Sequence, residues 1–208
     1  PALPHIPGKH HVTKAQKAGE GLAPAGLLCR KEALYAKCNP PMRSRENVDA
    51  LWEYVFDGTI DTLGSDHGPY ADEEKVKHGN FFKEYSGFGG YDAMLAGMLT
   101  EGVHKRGLPL ERLAALTSGN PARVMGLAPR KGSLLPGTDA DIAVVDLDAE
   151  WVFDGTKSLS KTKSSHNIYH GAQLKGKVEQ TWVRGELIYD HGSVRAPGGW
   201  GHYVSRGK

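Results

Sequence analysis

The chain has 208 residues, enough for one or two domains, with 39 % hydrophobic and 24 % charged residues. That balance supports a buried core and argues against disorder, while a formal net charge of +2 leaves no concentrated basic face for DNA or RNA. No apolar run reaches the roughly 20 residues of a membrane span.

The N-terminal PALPHIPGKHHVTK does not read as a secretory leader. Two cysteines, Cys29 and Cys38, are too few for a disulfide scaffold and lack zinc-site spacing. A reducing, cytoplasmic home is the simplest expectation.

In chain order, residues 1–33 show no usable period and read as an arm. ALYAKC is a short apolar strand candidate, stopped by Asn39, Pro40 and Pro41 because proline removes a ladder donor. Ser44 suits an N-cap. Behind it Val48, Leu51, Trp52 and Val55 recur at i, i+3, i+4 and i+7, the stripe of an amphipathic helix that Gly58 should end. Thr59–Leu63 reads as the next strand, so the unit predicts a parallel pair with a crossover helix.

GSDHGP follows at residues 64–69. A turn explains its glycines and proline. Asp66 and His67 ask for another reason, although an Asx turn after a strand would also suit the aspartate. The charged stretch YADEEKVKHGN and then FFKEYSGFGG are long for a plain connection and predict a functional loop.

A second helix presents Tyr91, Met94, Leu95, Met98 and Leu99. A third starts near Pro109 with Leu110, Leu113 and Ala114 inward, and a short one starts near Pro121. Beyond Gly132 the period turns alternating. DADIAVVDLDAEWVF predicts a strand, a polar break and a second strand, and residues 178–183 and 186–190 predict a hairpin around Arg184 and Gly185. No internal repeat is present.

Four blocks carry a resemblance: AKCNPPMRSRENVDALWEYVFDGTIDTLGSDHGP, LTEGVHKRGLPLERLAALTSGNPARVMGL, RKGSLLPGTDADIAVVDLD and VRGELIYDHGSV. Together, and in this order, they resemble the C-terminal half of the cyclic amidohydrolases: hydantoinases, dihydropyrimidinases, allantoinases and dihydroorotases. The resemblance implies an α/β fold, the C-terminal part of a (β/α)8 barrel over residues 34–131 and the C-terminal strands of a β-sandwich over residues 132–208. On that map LYAKC is the seventh barrel strand and TIDTLG the eighth, and Asp66 lies where barrel chemistry collects.

The resemblance also implies chemistry: hydrolysis of a small cyclic amide or ureide, with divalent metals, usually two zincs, activating water. Asp66 becomes a metal ligand and general acid/base that passes a proton to the departing ring nitrogen. His67 becomes a substrate-side group. Asn39 resembles the residue whose backbone pairs with the ring's amide edge, and Ser86 with Gly87 resembles the loop that completes it. SG there is closer to allantoinases than to hydantoinases. Arg43 and Asn120 read as structural, the second as a helix cap.

The departures from the family pattern are large. The sequence has no His-x-His, and GLAPAGLLC stands where a metal-binding histidine is expected. The chain therefore reads as truncated and inactive alone, with self-association expected of an exposed half-barrel. Two alternatives stay open: a dihydroorotase, or a non-catalytic amidohydrolase-like assembly protein. The full-length family members commonly form homo-oligomers, and neither nucleic acid nor membrane is implied as partner.

Overall fold

The computed structural model describes residues 31–206. The arm at 1–33, with His10, His11 and Cys29, lies mostly outside them.

Lys31–Tyr35 is a short helix, α1, where a seventh strand was expected. Lys, Glu, Ala and Leu are all strong helix formers, and among the described residues no strand lies beside ALYAKC to satisfy a ladder. α2 runs over Arg45–Asp57 as the stripe predicts. Trp52 and Val55 are buried and Val48 packs against them, while Leu51 stays on the rim. Gly58 ends the helix in the left-handed region at φ 94°. Ser44 is the N-cap residue, but its Oγ accepts from Asn47 Nδ2 at 2.8 Å and from no backbone N–H.

The expected eighth strand, residues 59–63, is extended but joins no ladder, so the parallel pair does not form among the described residues. Its backbone is met one group at a time. Leu63 N–H donates to Leu116 O at 3.0 Å, Arg112 Nη2 to Ile60 O at 2.6 Å, and Asn120 Nδ2 to Asp61 O at 2.7 Å. Asn120 therefore opens a helix as its first residue and reaches back to the extended segment. It does not act as the expected cap.

α3 is one turn, Asp72–Lys75, and α4 is Tyr91–Met98, continued by a wider turn over Leu99–His104. α5 covers Leu110–Ala114 and, after another wide turn at Ala115–Gly119, α6 covers Asn120–Val124. Leu113 and Leu116 are buried. Leu110 and Ala114 face outward, contrary to expectation, because the inward direction is set by Trp52 and Leu108 packed on that side. One core joins Trp52, Val55, Met98, Leu99, Leu108, Leu113 and Leu116. Each large apolar side chain buried there stabilises the fold by about 1.5–3 kcal/mol.

The C-terminal sheet is an antiparallel meander in the order β1-β2-β3-β4. β1 is continuous over Ile142–Val152, where a break was expected. The polar DLDA is absorbed as a bulge in which Asp146 Oδ1 accepts from the N–H of Asp148 and of Ala149. β2 is Gln173–Val183, five residues longer at its start than predicted, β3 is Glu186–Asp190 and β4 is Ser193–Val194.

The two hairpin turns, Arg184-Gly185 and His191-Gly192, hold all four residues at positive φ, the geometry that matches strand twist. Sheet and helices meet closely at Gly176, whose added Cβ would lie 2.7 Å from Leu99 Cδ1. Thr100 Oγ1 joins the same seam, donating to Lys175 O at 3.1 Å and accepting from Lys175 N–H at 2.9 Å.

Candidate active site

Asp66 sits in the loop after the extended segment, exposed and at φ 45°. That strained left-handed backbone is uncommon outside glycine, and aspartate is among the residues that tolerate it. It turns the chain sharply, so that Gly68 N–H reaches Phe88 O at 3.2 Å.

The His67 ring is anchored at one of its two nitrogens. Its Nδ1 accepts from Gly90 N–H at 3.2 Å and Tyr91 N–H at 3.4 Å, the first donors of α4. Its ring meets Tyr91 edge-on at 4.7 Å. Because Nδ1 accepts, Nε2 carries the ring proton and is the nitrogen left to serve a ligand.

Asn39 and Ser86 are both exposed, at the tips of two loops. Gly87 joins those loops: its N–H donates to Lys37 O at 2.9 Å. At φ 134°, a Cβ on Gly87 would overlap the carbonyl oxygen of Gly68, so this position requires glycine. Asn39, Ser86, Gly87, His67 and Asp66 thus belong to one cluster of loops linked by backbone bonds.

The residue that the sequence reading missed is Lys75. It is 3 % exposed, and its ammonium donates to Lys37 O at 2.9 Å, Tyr85 O at 2.9 Å and Gly87 O. Burial pushes its pKa down to about 8; Lys37 adds to that, and Cys38 and Glu84 oppose it. Within DEEKVK it looks like one more surface charge, and no periodicity sets it apart.

Nearby Glu84 is equally buried. Burial works to raise its carboxyl, but hydrogen bonds from His78, Asn80 and Gly79 outweigh it and hold the group below its usual range. Burial likewise pushes the Cys38 thiol up, Asp66 adding to it and a backbone bond from Met42 and the Lys75 charge opposing.

A long excursion between β1 and β2 braces this cluster from outside. Asp72 accepts from Ser164 Oγ at 2.6 Å and pairs with His166 Nδ1 at 2.9 Å, and His166 stacks on Tyr35 at 4.3 Å. Asn167 Nδ2 donates to Gly89 O at 3.0 Å, and Ser158 Oγ donates to Asp92. Beneath them Tyr169, Phe88 and Phe153 pack against Ala93 and Ala96. Burial raises the Tyr169 phenol well above its ordinary range, so it stays neutral.

As a metal site the cluster is incomplete. Among the described residues no three of His, Cys, Asp and Glu are grouped to hold an ion. Asp66 is the only expected ligand among those residues, and one exposed carboxylate does not make the binuclear centre that the resemblance implies. Nor is any described helix long and apolar enough to cross a membrane.

Loops converging on a carboxylate, above packed helices and beside an antiparallel sheet, define an α/β chain of the kind that carries enzyme sites on its loops. The chain belongs to the amidohydrolase family, whose model matches residues 5–188. It is 39 % identical over 173 residues to an L-hydantoinase of Paenarthrobacter aurescens, covering 83 % of this chain and 37 % of the relative. It is 38 % identical over 164 residues to an allantoinase of Solibacter usitatus (79 % and 35 % covered). A dihydroorotase of Elusimicrobium minutum is 35 % identical over 187 residues (89 % and 39 %).

Among solved structures, the L-hydantoinase from Arthrobacter aurescens superposes with a TM-score of 0.82 at 34 % identity, covering 98 % of this chain and 42 % of that one. A D-hydantoinase from Thermus sp. gives 0.80 at 26 % identity, covering 97 % and 41 %. The chain thus spans less than half the length of the relatives it matches.

Proposed function

We propose that this chain supplies the C-terminal part of a hydrolase that opens a cyclic amide or ureide ring, of hydantoinase or allantoinase type. In this reading residues 34–131 are barrel and residues 132–208 belong to the sandwich. Asp66 takes a proton from the attacking water and returns it to the departing ring nitrogen, work for which a carboxylate within hydrogen-bond reach is suited. The amide edge of the ring lies between the Asn39 loop and the Ser86-Gly87 loop, whose backbone groups answer its donors and acceptors. His67 offers Nε2 from a ring already fixed at Nδ1.

The observation that carries this reading is the shared loop cluster: Gly68 N–H bonds Phe88 O and Gly87 N–H bonds Lys37 O, so the loops that bear all five residues are tied to one another. Zinc belongs to the proposal as the family resemblance implies it, and its further ligands would come from outside the described residues.

The test is a ring-opening assay on hydantoin, allantoin and dihydroorotate. The 208-residue chain alone should be inactive and bind less than one zinc. Embedded in a chain of the relatives' full length, Asp66→Asn should cost about 10²–10⁴ in kcat without changing the fold. Full activity of that variant would refute the role of Asp66, and turnover of dihydroorotate alone would move the ring to the dihydroorotase class.

A further inference from the structure

We propose that Lys75 is a positioning residue that sets the spacing between the Asn39 loop and the Ser86-Gly87 loop. The inference rests on the reading above, in which those loops seat the ring.

The geometry is that of a clamp with one jaw on each loop. On one side the ammonium takes Lys37 O, two residues before Asn39. On the other it takes Tyr85 O and Gly87 O, the carbonyls flanking Ser86. Lys37 O also accepts the Gly87 N–H, so the loops are joined by one direct bond and by a shared cation. An ammonium has three hydrogens and no acceptor, and all three are matched here to carbonyls.

Charge pairing does not explain the burial. Among the described residues no carboxylate lies within ion-pair distance of Lys75, although Glu84 and Lys37 are close enough to act on it. A buried, unpaired ammonium is costly unless every donor is used. It persists here through carbonyls that belong to the two loops.

Lys37 repeats the arrangement in a weaker form, donating to Glu84 O at 2.6 Å and Phe82 O at 3.4 Å from a more exposed position. Neither lysine is aimed at Asp66 as a reacting partner. Both act on backbone: Lys37 reaches from its own loop to Phe82 and Glu84, whereas Lys75 gathers carbonyls of both loops at one ammonium.

The test uses the 208-residue chain and its Lys75→Met and Lys75→Arg variants, followed by amide-resolved hydrogen exchange and by titration with hydantoin read at the Asn39, Ser86 and Gly87 amides. Lys75→Met should lower protection of the Gly87 amide about tenfold or more while the β1 and β2 amides keep theirs. It should also weaken hydantoin binding about tenfold. Lys75→Arg, which keeps charge and donors, should restore part of both.

Unchanged Gly87 protection in Lys75→Met, or a loss spread evenly through the sheet, would overturn the proposal. If Lys75→Met loses protection at Gly87 but the wild-type chain shows no hydantoin response at these amides, the ring-seat reading fails and the clamp stands. A hydantoin response that survives Lys75→Met unchanged refutes the positioning role while leaving the ring seat intact.

Discussion

The sheet over residues 142–194 and the loop cluster over residues 59–90 solve the same problem in opposite ways. Each must satisfy an extended backbone. In the sheet the hairpin partners are near in sequence: β2 and β3 pair across a two-residue turn, as do β3 and β4, so those two ladders follow from local chemistry, while β1 and β2 pair across the 153–172 excursion. In the cluster the partners are distant. Asp61 O is met by Asn120, Ile60 O by Arg112 and Lys37 O by Lys75, spans of 59, 52 and 38 residues. A ladder is generic, whereas a side chain reaching a single carbonyl places one loop at one distance. That difference suits a scaffold on one side and a site on the other.

The contrast can be broken at Gly87. Gly87→Ala should cost about 3 kcal/mol or more, because the new Cβ overlaps Gly68 O and alanine resists φ 134°. The denaturation midpoint should fall, and the loss of amide protection should centre on the loops. If the loss centres on the sheet, the two regions are not separable in this way.

A smaller effect belongs to Lys75. Its pKa is ordinarily 10.5 and is about 8 in the fold, so between those values the unfolded chain holds a proton that the native chain has shed. Stability from this group therefore rises as pH goes from about 8 to 10.5, by at most about 3 kcal/mol, and is flat below that window. The tie itself loosens over the same range, since a neutral amine keeps only two hydrogens for three carbonyls. Urea midpoints across this pH range check the sign, and Lys75→Met should lack the rise.

The smallest effect lies in the sheet. Gly185→Ala, in the Arg184-Gly185 turn at φ 82°, should cost about 1 kcal/mol and leave the cluster's exchange unchanged. A shift at Gly87 in this variant would show that the sheet sets the loops' spacing.

Much of the scaffold was legible. The stripe of Val48, Trp52 and Val55 gave α2, and Arg184-Gly185 gave the hairpin. The GSDHGP motif and the two loops marked the cluster, while three inferences failed where partners were remote. ALYAKC and TIDTLG looked like strands, but apolar character alone does not supply the neighbour a ladder needs. Leu110 and Ala114 looked inward until the packing of α5 chose Leu113 and Leu116. His67 also holds the start of α4 through Nδ1, a remote bond that no local pattern signals.

The amino-acid sequence by itself determined what depends on near neighbours: the helical stripe, the positive-φ turns of the sheet, the family and the carboxylate at Asp66. Tertiary structure decided what depends on distant ones: which extended segments pair, which face of α5 is buried, and that Lys75 gathers carbonyls from two loops. The reason is physical. Periodicity and turn chemistry act over a few residues, whereas a hydrogen bond from Lys75 to Lys37 exists only once a loop between residues 38 positions apart has closed.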